Sequence, residues 1–279
     1  MKVVSIGGGI EPGHYALHSR FEHAVNLADG EHLVTVVDPA VGSGPLHLVV
    51  SGIDLNRVQS LDVDTRSVTL AETRLPVDPA MRYDPELPLA GADAGLLAWN
   101  AELGAALLVQ VAPQRSLAFL LDPARRVEFR PGFEEAVAAR VESGIDRVFG
   151  GDVAGGVALI KGVGFGLTPS GDDFVAGLVL GIRVLAAVAG EDHDTTVAEI
   201  LRIARGGNML ANSLLDLAAA GRVPQPMHEF TAALLAGGDD EVETAVRRVV
   251  AVGHTSGADF ATGLVMTVRA GTGFLRGRM

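Results

Sequence analysis

The alternation of hydrophobic and polar positions changes rhythm about a third of the way along the chain. In the first part, apolar residues fall in short runs, LVTVVDP at 33–39, LHLVVSG at 46–52 and SVTLAET at 67–73, separated by Gly, Pro and Asp. Runs rich in Val and Thr and bounded by turn residues predict strands. No helical pattern intervenes, so they predict an antiparallel sheet or small barrel, whose strands short turns can join. One short helix is expected in this region, over 19–27. Further on the period lengthens. In FEEAVAARVESGIDRVF, Phe133, Val137, Val141, Ile145 and Val148 recur three or four residues apart, which predicts a helix with one buried face. Thr196 with Glu199, and Asp240 with Glu243, have the spacing of a capping box, so a helix is expected to begin at each.

The passage LPVDPAMRYDPELP at 75–88 separates the two rhythms. Proline lacks a backbone donor and restricts the residue before it, so regular structure is expected to stop there. The fold class expected is α+β, with a β-rich N-terminal domain over 1–88 and a mainly helical domain over 89–279. The longest apolar stretch, FVAGLVLGIRVLAAVAG at 174–190, has Arg183 near its centre and falls short of the roughly 20 residues of a membrane span. It predicts a buried core helix, and no membrane partner is expected. The opening MKVVSIGGGIEPGHYALHS places glycines and a proline where a secretory leader needs an unbroken apolar run.

Composition narrows the function classes. A chain of 279 residues can bury a sizeable core and accommodate two domains. A formal charge of -12 and a pI near 5.0 argue against holding nucleic acid or anionic lipid through a general basic field, though not against a local cationic pocket. There is no cysteine, hence no disulfide framework, thiolate nucleophile or cysteine zinc site; this suits a cytoplasmic location, which is the expectation.

Two segments repeat one another. GFGLTPSGDDF at 164–174 and GHTSGADF at 253–260 align Ser170 with Ser256, Gly171 with Gly257, Asp173 with Asp259 and Phe174 with Phe260. The match continues through Gly177 with Gly263, Leu178 with Leu264 and Val179 with Val265. Ser-x-x-Asp before an apolar run is a helix-capping pattern, so Ser170 and Ser256 are expected to cap two helices, and capping alone could explain either segment. The small-residue rows Gly177/Gly181 and Gly263/Thr267 add to this. They would let the helices approach closely and bring their N-terminal amides together as a site for phosphate or carboxylate. Gly162, Gly164, Gly166 and Gly171 would permit close backbone approach. Asp172 would repel a bare anion; Mg²⁺ bridging carboxylate and phosphate would resolve that conflict, as would an Asp172 that faces solvent or accepts a proton or a ligand N–H. His254 could donate to an anion, act as acid or base, or support the cap; Lys161 is either a ligand contact or a solvated lysine.

Other candidates are weaker. SIGGGIEPGHY has His14 where a phosphate loop needs lysine, and GVGFGLTPSG has Leu167 where the dinucleotide fingerprint needs its third glycine. A tight turn is the simpler reading of both. His14 and His18, with His23 following, would share a face only on a helix, and Pro12 and Gly13 disturb that register. Residue order alone assigns no Ser-His-Asp triad.

The stretch GVGFGLTPSGDDFVAGLVLG together with GHTSGADFATGL resembles the AllH family, and HSRFEHAVNL, from His18, is similar to another segment of it. Phe165 stands where the family's motif has proline. The resemblance implies association with FdrA-type and AllG-type proteins in oxamate carbamoyltransferase, which connects carbamoyl phosphate with oxamate in purine-ureide (allantoin) catabolism. It transfers a possible pocket to Gly164, Gly166, Thr168, Ser170, Gly171, Asp172, Asp173, His254, Ser256 and Asp259. Within it Asp172, Asp173 and His254 are the expected catalytic groups. Gly164, Gly166, Thr168, Ser170, Gly171, Ser256, Gly257 and Asp259 are the expected contacts to a small anionic substrate. Two alternatives stand beside this reading: a Mg²⁺-dependent phosphate-ester or nucleotide enzyme using Asp172 and Asp173, and a non-catalytic scaffold or ligand-sensing subunit.

Overall fold

A computed structural model describes residues 1–276. The chain divides into two compact units, one of Met1–Glu86 with Arg222–Gln225, the other of Leu87–Gly221 with the chain from Pro226 onward.

The first unit is a curled mixed sheet, an α+β arrangement when taken with the helices that follow. Its strands are β1 (Lys2–Gly7), β2 (Gly13–Arg20), β3 (Ala24–Ala28), β4 (Leu33–Val37), β5 (His47–Ser51), β6 (Ser60–Val63), β7 (Ser67–Leu70), β8 (Thr73–Pro76) and β9 (Arg82–Tyr83). They are ordered β8-β7-β6-β2-β3-β4-β5-β1-β9. The three β-rich runs of the sequence are β4, β5 and β7. Val25, Leu27, Val36, Leu48, Val50, Leu61, Val68 and Leu70 form the centre of its core.

Three expectations need correction here. The sheet is not purely antiparallel: β4 pairs with β5 in parallel, Val36 opposite Leu48, and β1 pairs with β9 in parallel. The Gly- and Pro-containing loop between β4 and β5 carries the chain back before it pairs, which a tight hairpin turn cannot do. No helix covers 19–27; the segment is the end of β2, the turn at 21–23 and most of β3, with Arg20 opposite Val25. Asn26 fixes it from within, donating to Ser19 Oγ at 3.0 Å and accepting from Thr35 Oγ1 at 2.8 Å. Regular structure also continues into the Pro-rich passage through β8 and β9. Pro76 is tolerated because β8 lies at the sheet edge.

The second unit contains α1 (Ala94–Val111), α2 (Phe133–Phe149), α3 (Val153–Ile160), α4 (Ser170–Ala189), α5 (Asp194–Ala204), α6 (Met209–Ala219), α7 (Gln225–Ala236), α8 (Asp239–Val250) and α9 (Ser256–Ala270). The bounds of α2 are those of the quoted periodic run, and Val141, Ile145 and Val148 are buried on it. Phe133 is not: it is 73% exposed at the first helical position. Both helices begin earlier than expected, and neither expected capping box forms. α5 begins at Asp194 with His193 as N-cap, leaving Thr196 inside the first turn. α8 begins at Asp239, and Glu241, not Glu243, accepts the Gly238 N–H at 2.8 Å. With three consecutive acids in that first turn, each is attracted to the positive helix end, so pattern alone does not select among them.

The apolar stretch 174–190 lies in α4 up to its C-cap at Gly190, and its first part, from Phe174 to Ile182 with Val184, is buried as expected of a core helix. Arg183 donates through Nε to the Ala219 carbonyl at 2.9 Å and pairs with Asp194. Among the described residues α1 alone has the length and apolarity to cross a membrane. Here its Leu97, Ala101 and Leu108 are buried. Asn100 Nδ2 binds the carbonyls of Ala233, Leu234 and Gly237, satisfying the C-terminal end of α7.

Candidate functional site

The repeat is a packing device before it is anything else. A Cβ placed on Gly177 would collide with the Phe260 carbonyl, and one on Gly263 with the Phe174 carbonyl. The same small residue on each helix thus meets the same backbone atom of the other. Gly181 continues the contact against Thr267. The helices therefore meet backbone to backbone, as the small-residue rows predict, and their starts come together: Thr168 Oγ1 lies 3.0 Å from Ser256 Oγ.

The capping expectation is corrected. Ser170 and Ser256 are the first helical residues; the N-caps are Pro169 and Thr255, and neither makes a side-chain cap bond. Helix entry is instead secured by backbone bonds, Gly171 N–H to Val163 O at 2.8 Å and Gly257 N–H to Val252 O at 3.1 Å. Two glycines allow this approach. A Cβ on Gly171 would strike the Ile160 carbonyl, and one on Gly257 the Val249 carbonyl.

Freed from capping, three of the four Ser and Asp side chains shared by the two copies are buried, Ser256 being only partly so. Ser170, Asp173 and Asp259 are 3%, 1% and 0% exposed. Thr168 Oγ1 donates to Asp173 Oδ2 at 3.0 Å. Asp259 Oδ1 accepts the Leu117 N–H at 2.6 Å, tying α9 to the 3-10 turn Leu117–Leu120. Asp259 Oδ2 and the neighbouring Ser116 Oγ are both buried and neither makes a hydrogen bond of normal geometry.

Burial dominates the electrostatics of this cluster. It pushes the Asp259 carboxyl up to about 7, against the opposing influence of the Leu117 amide and of the Ser170 and Thr255 hydroxyls. Burial also raises Asp173 well above the usual carboxylate range, and the charge of Asp259 raises it further, while Ser256 and Thr168 oppose the shift. Removing a carboxylate from water disfavours its charged form, and a second carboxylate nearby adds to the penalty. Asp172 is less buried and is raised by that partial burial, its Oδ1 accepting the Gly162 N–H at 2.7 Å.

The residues expected to form one pocket therefore separate into two groups. Ser170, Gly171, Asp173, Gly257 and Asp259 are buried and hold the helix starts. Gly166, Leu167 and His254 are exposed on the loops before them, with Gly164, Thr168, Asp172 and Ser256 between these extremes. Lys161, also exposed, donates to the Ile203 carbonyl at 2.6 Å. Several amides expected to face an anion already have partners, since Asp172 and Asp173 N–H donate to Pro169 O and Asp259 N–H to Thr255 O. Among the described residues no group of three or more His, Asp or Glu side chains could hold a metal. The histidines are not gathered. His14, on strand β2 and not on a helix, pairs with Asp62, while His23 pairs with Asp38. The Gly7–Gly9 run forms a tight turn, with Gly9 N–H bonded to Pro45 O at 2.9 Å.

Sequence reasoning missed Ser116 and Leu117. An acceptor for a backbone amide leaves no mark on the residue that donates it, and more than a hundred residues separate the partners.

No solved structure matches the chain. Residues 160–268, the segment running from the end of α3 through the repeat to α9 but not reaching back to the HSRFEHAVNL stretch, match the family model described as oxamate carbamoyltransferase subunit AllH.

Proposed function

We propose that the chain is a subunit of an oxamate carbamoyltransferase-type assembly of allantoin catabolism, acting in the cytoplasm with FdrA-type and AllG-type partners. The observation that carries this reading is the coincidence of the family match with the paired helix starts. In this proposal the small anion, carbamoyl phosphate or a close relative, meets the exposed loops at 162–168 and 253–255. His254 and the loop amides supply donors, while the buried Asp173 and Asp259 keep the loops in register from below. Asp173 is then a positioning residue, since its burial separates it from any ligand in this conformation.

The same burial favours a second reading, a non-catalytic scaffold whose repeat only builds a rigid helix pair. Reconstitution with both partner types separates the two. Carbamoyl phosphate-dependent modification of oxamate that is lost without this chain supports the assembly reading, and full activity without it, under conditions where it binds its partners, rejects an essential role. Within the intact assembly, His254→Ala should lower turnover if the loops meet substrate. Unchanged turnover with unchanged substrate affinity would favour the scaffold.

A further inference from the structure

The cluster beneath the loops holds two acids where charge is costly. Asp173 and Asp259 occupy equivalent positions on helices that touch through Gly177 and Gly263, and both side chains are closed to solvent. Each start is tied to the other by a hydroxyl, since Thr168 reaches both Asp173 and Ser256. Among the described residues no cationic group pairs with either acid. Of the charged groups on the elements around it, Asp172 is another acid and Lys161 is turned to the Ile203 carbonyl. Arg115, beside Ser116, pairs with Glu134; on α1 and α9, Glu102 pairs with Arg269; on α8, Arg247 and Arg248 pair with Glu243 and Glu229. On α5 and α6, Asp194 and Asp216 pair with Arg183 and Arg205, and Glu199 with Arg202. His254 lies exposed on the adjoining loop. Asp259 Oδ1 takes the Leu117 N–H, while Oδ2 is buried without a hydrogen bond of normal geometry, the Ser170 and Thr255 hydroxyls acting on the carboxyl only weakly.

We propose that Asp173 and Asp259 form a proton-dependent clasp: while the pair holds a proton, the starts of α4 and α9 and the 3-10 turn Leu117–Leu120 are locked together, and loss of the last proton loosens them and mobilises the loops at 162–168 and 253–255. A carboxylic acid at Asp259 can donate from Oδ2 while Oδ1 still accepts from Leu117. Two carboxylates in the same buried space repel one another and favour opening to water. The upward shifts of both acids by burial agree with this geometry. The clasp does not depend on the proposed enzymatic role, because it concerns only the starts of two helices in this chain.

The test uses the purified full-length chain and hydrogen exchange, corrected for the intrinsic effect of pH, at about pH 5.5 and about pH 8.5. Exchange in 162–175 and 253–262 should quicken about tenfold or more at the higher pH, while that of the β-sheet core stays constant. In Asp259→Asn, whose amide keeps an acceptor for Leu117 and carries no charge, the difference should vanish. A wild-type chain without this pH dependence, or an Asp259→Asn chain that retains it, overturns the clasp. Should that variant not fold, Asp173→Asn answers the same question. Infrared spectroscopy of the wild type supplies a second readout. A protonated-carboxyl band present at the lower pH and lost at the higher supports the clasp, and absence of that band at the lower pH overturns it.

Discussion

The two helix starts descend from the same sequence pattern but are finished differently. In both, a glycine amide reaches back to a valine carbonyl, and in both an aspartate lies buried three residues after a serine. The first spans Val163 to Gly171 with three positive-φ glycines close by at 162, 164 and 166. The second closes more briefly, from Val252 to Gly257, with Gly253 alone in that conformation. Hydroxyls alone serve Asp173, whereas Asp259 also receives the backbone amide of Leu117. Beside them Asp172 braces the longer loop through Gly162, and its counterpart Ala258 is buried and apolar. The repeat thus preserves the contact between helices and leaves the exposed loops free to differ, as expected if the shared part is structural and the loops carry recognition.

The largest effect that sharpens this comparison concerns the two buried acids. Asp259 is raised from 3.8 to about 7, so the folded chain binds more protons than the unfolded one between those values. Stability should fall as pH rises through that interval and then level off, by up to about 4 kcal/mol. Denaturant unfolding across pH measures it. Asp259→Asn should flatten the curve and gain relative to wild type above neutrality; an unchanged slope would show that Asp259 titrates as an ordinary carboxylate.

Next comes the helix contact, where the two halves should behave alike. Gly177→Leu and Gly263→Leu each push a side chain into the other helix's backbone and should cost about 3 kcal/mol or more, read as a lowered denaturant midpoint. A large cost for one and none for the other would break the equivalence. A smaller effect separates the loops. Asp172→Ala removes the acceptor of the Gly162 amide and should cost about 1 kcal/mol, while Ala258→Ser, the nearest polar change at the matching position, should not recover a loop contact in the second half. Smallest of all, Phe133→Ala should change stability by about 0.5 kcal/mol or less, because the ring is largely exposed.

Much of the fold was legible in local pattern. The runs at 33–39, 46–52 and 67–73 became strands, and 133–149 became a helix with the bounds its periodicity gives. The 19–27 segment misled because its apolar residues fit a helix period as readily as a hairpin, and the strand beside it, with Thr35 reaching Asn26, settled the matter. In the site, the repeat and its glycines announced two helices in backbone contact. The role of the serines was misread because a capping pattern describes an isolated helix, whereas here Pro169 and Thr255 hold the cap positions and the hydroxyls turn toward the neighbouring start.

By itself, then, the sequence determined that two helices would begin alike and touch along a row of small residues, since glycine spacing fixes how near two backbones can come. Only the tertiary structure decided that Asp173 and Asp259 would lie out of water, and that Leu117, far away in the chain, would supply an amide to Asp259 Oδ1. Burial is a property of everything packed around a group, and no local pattern carries it.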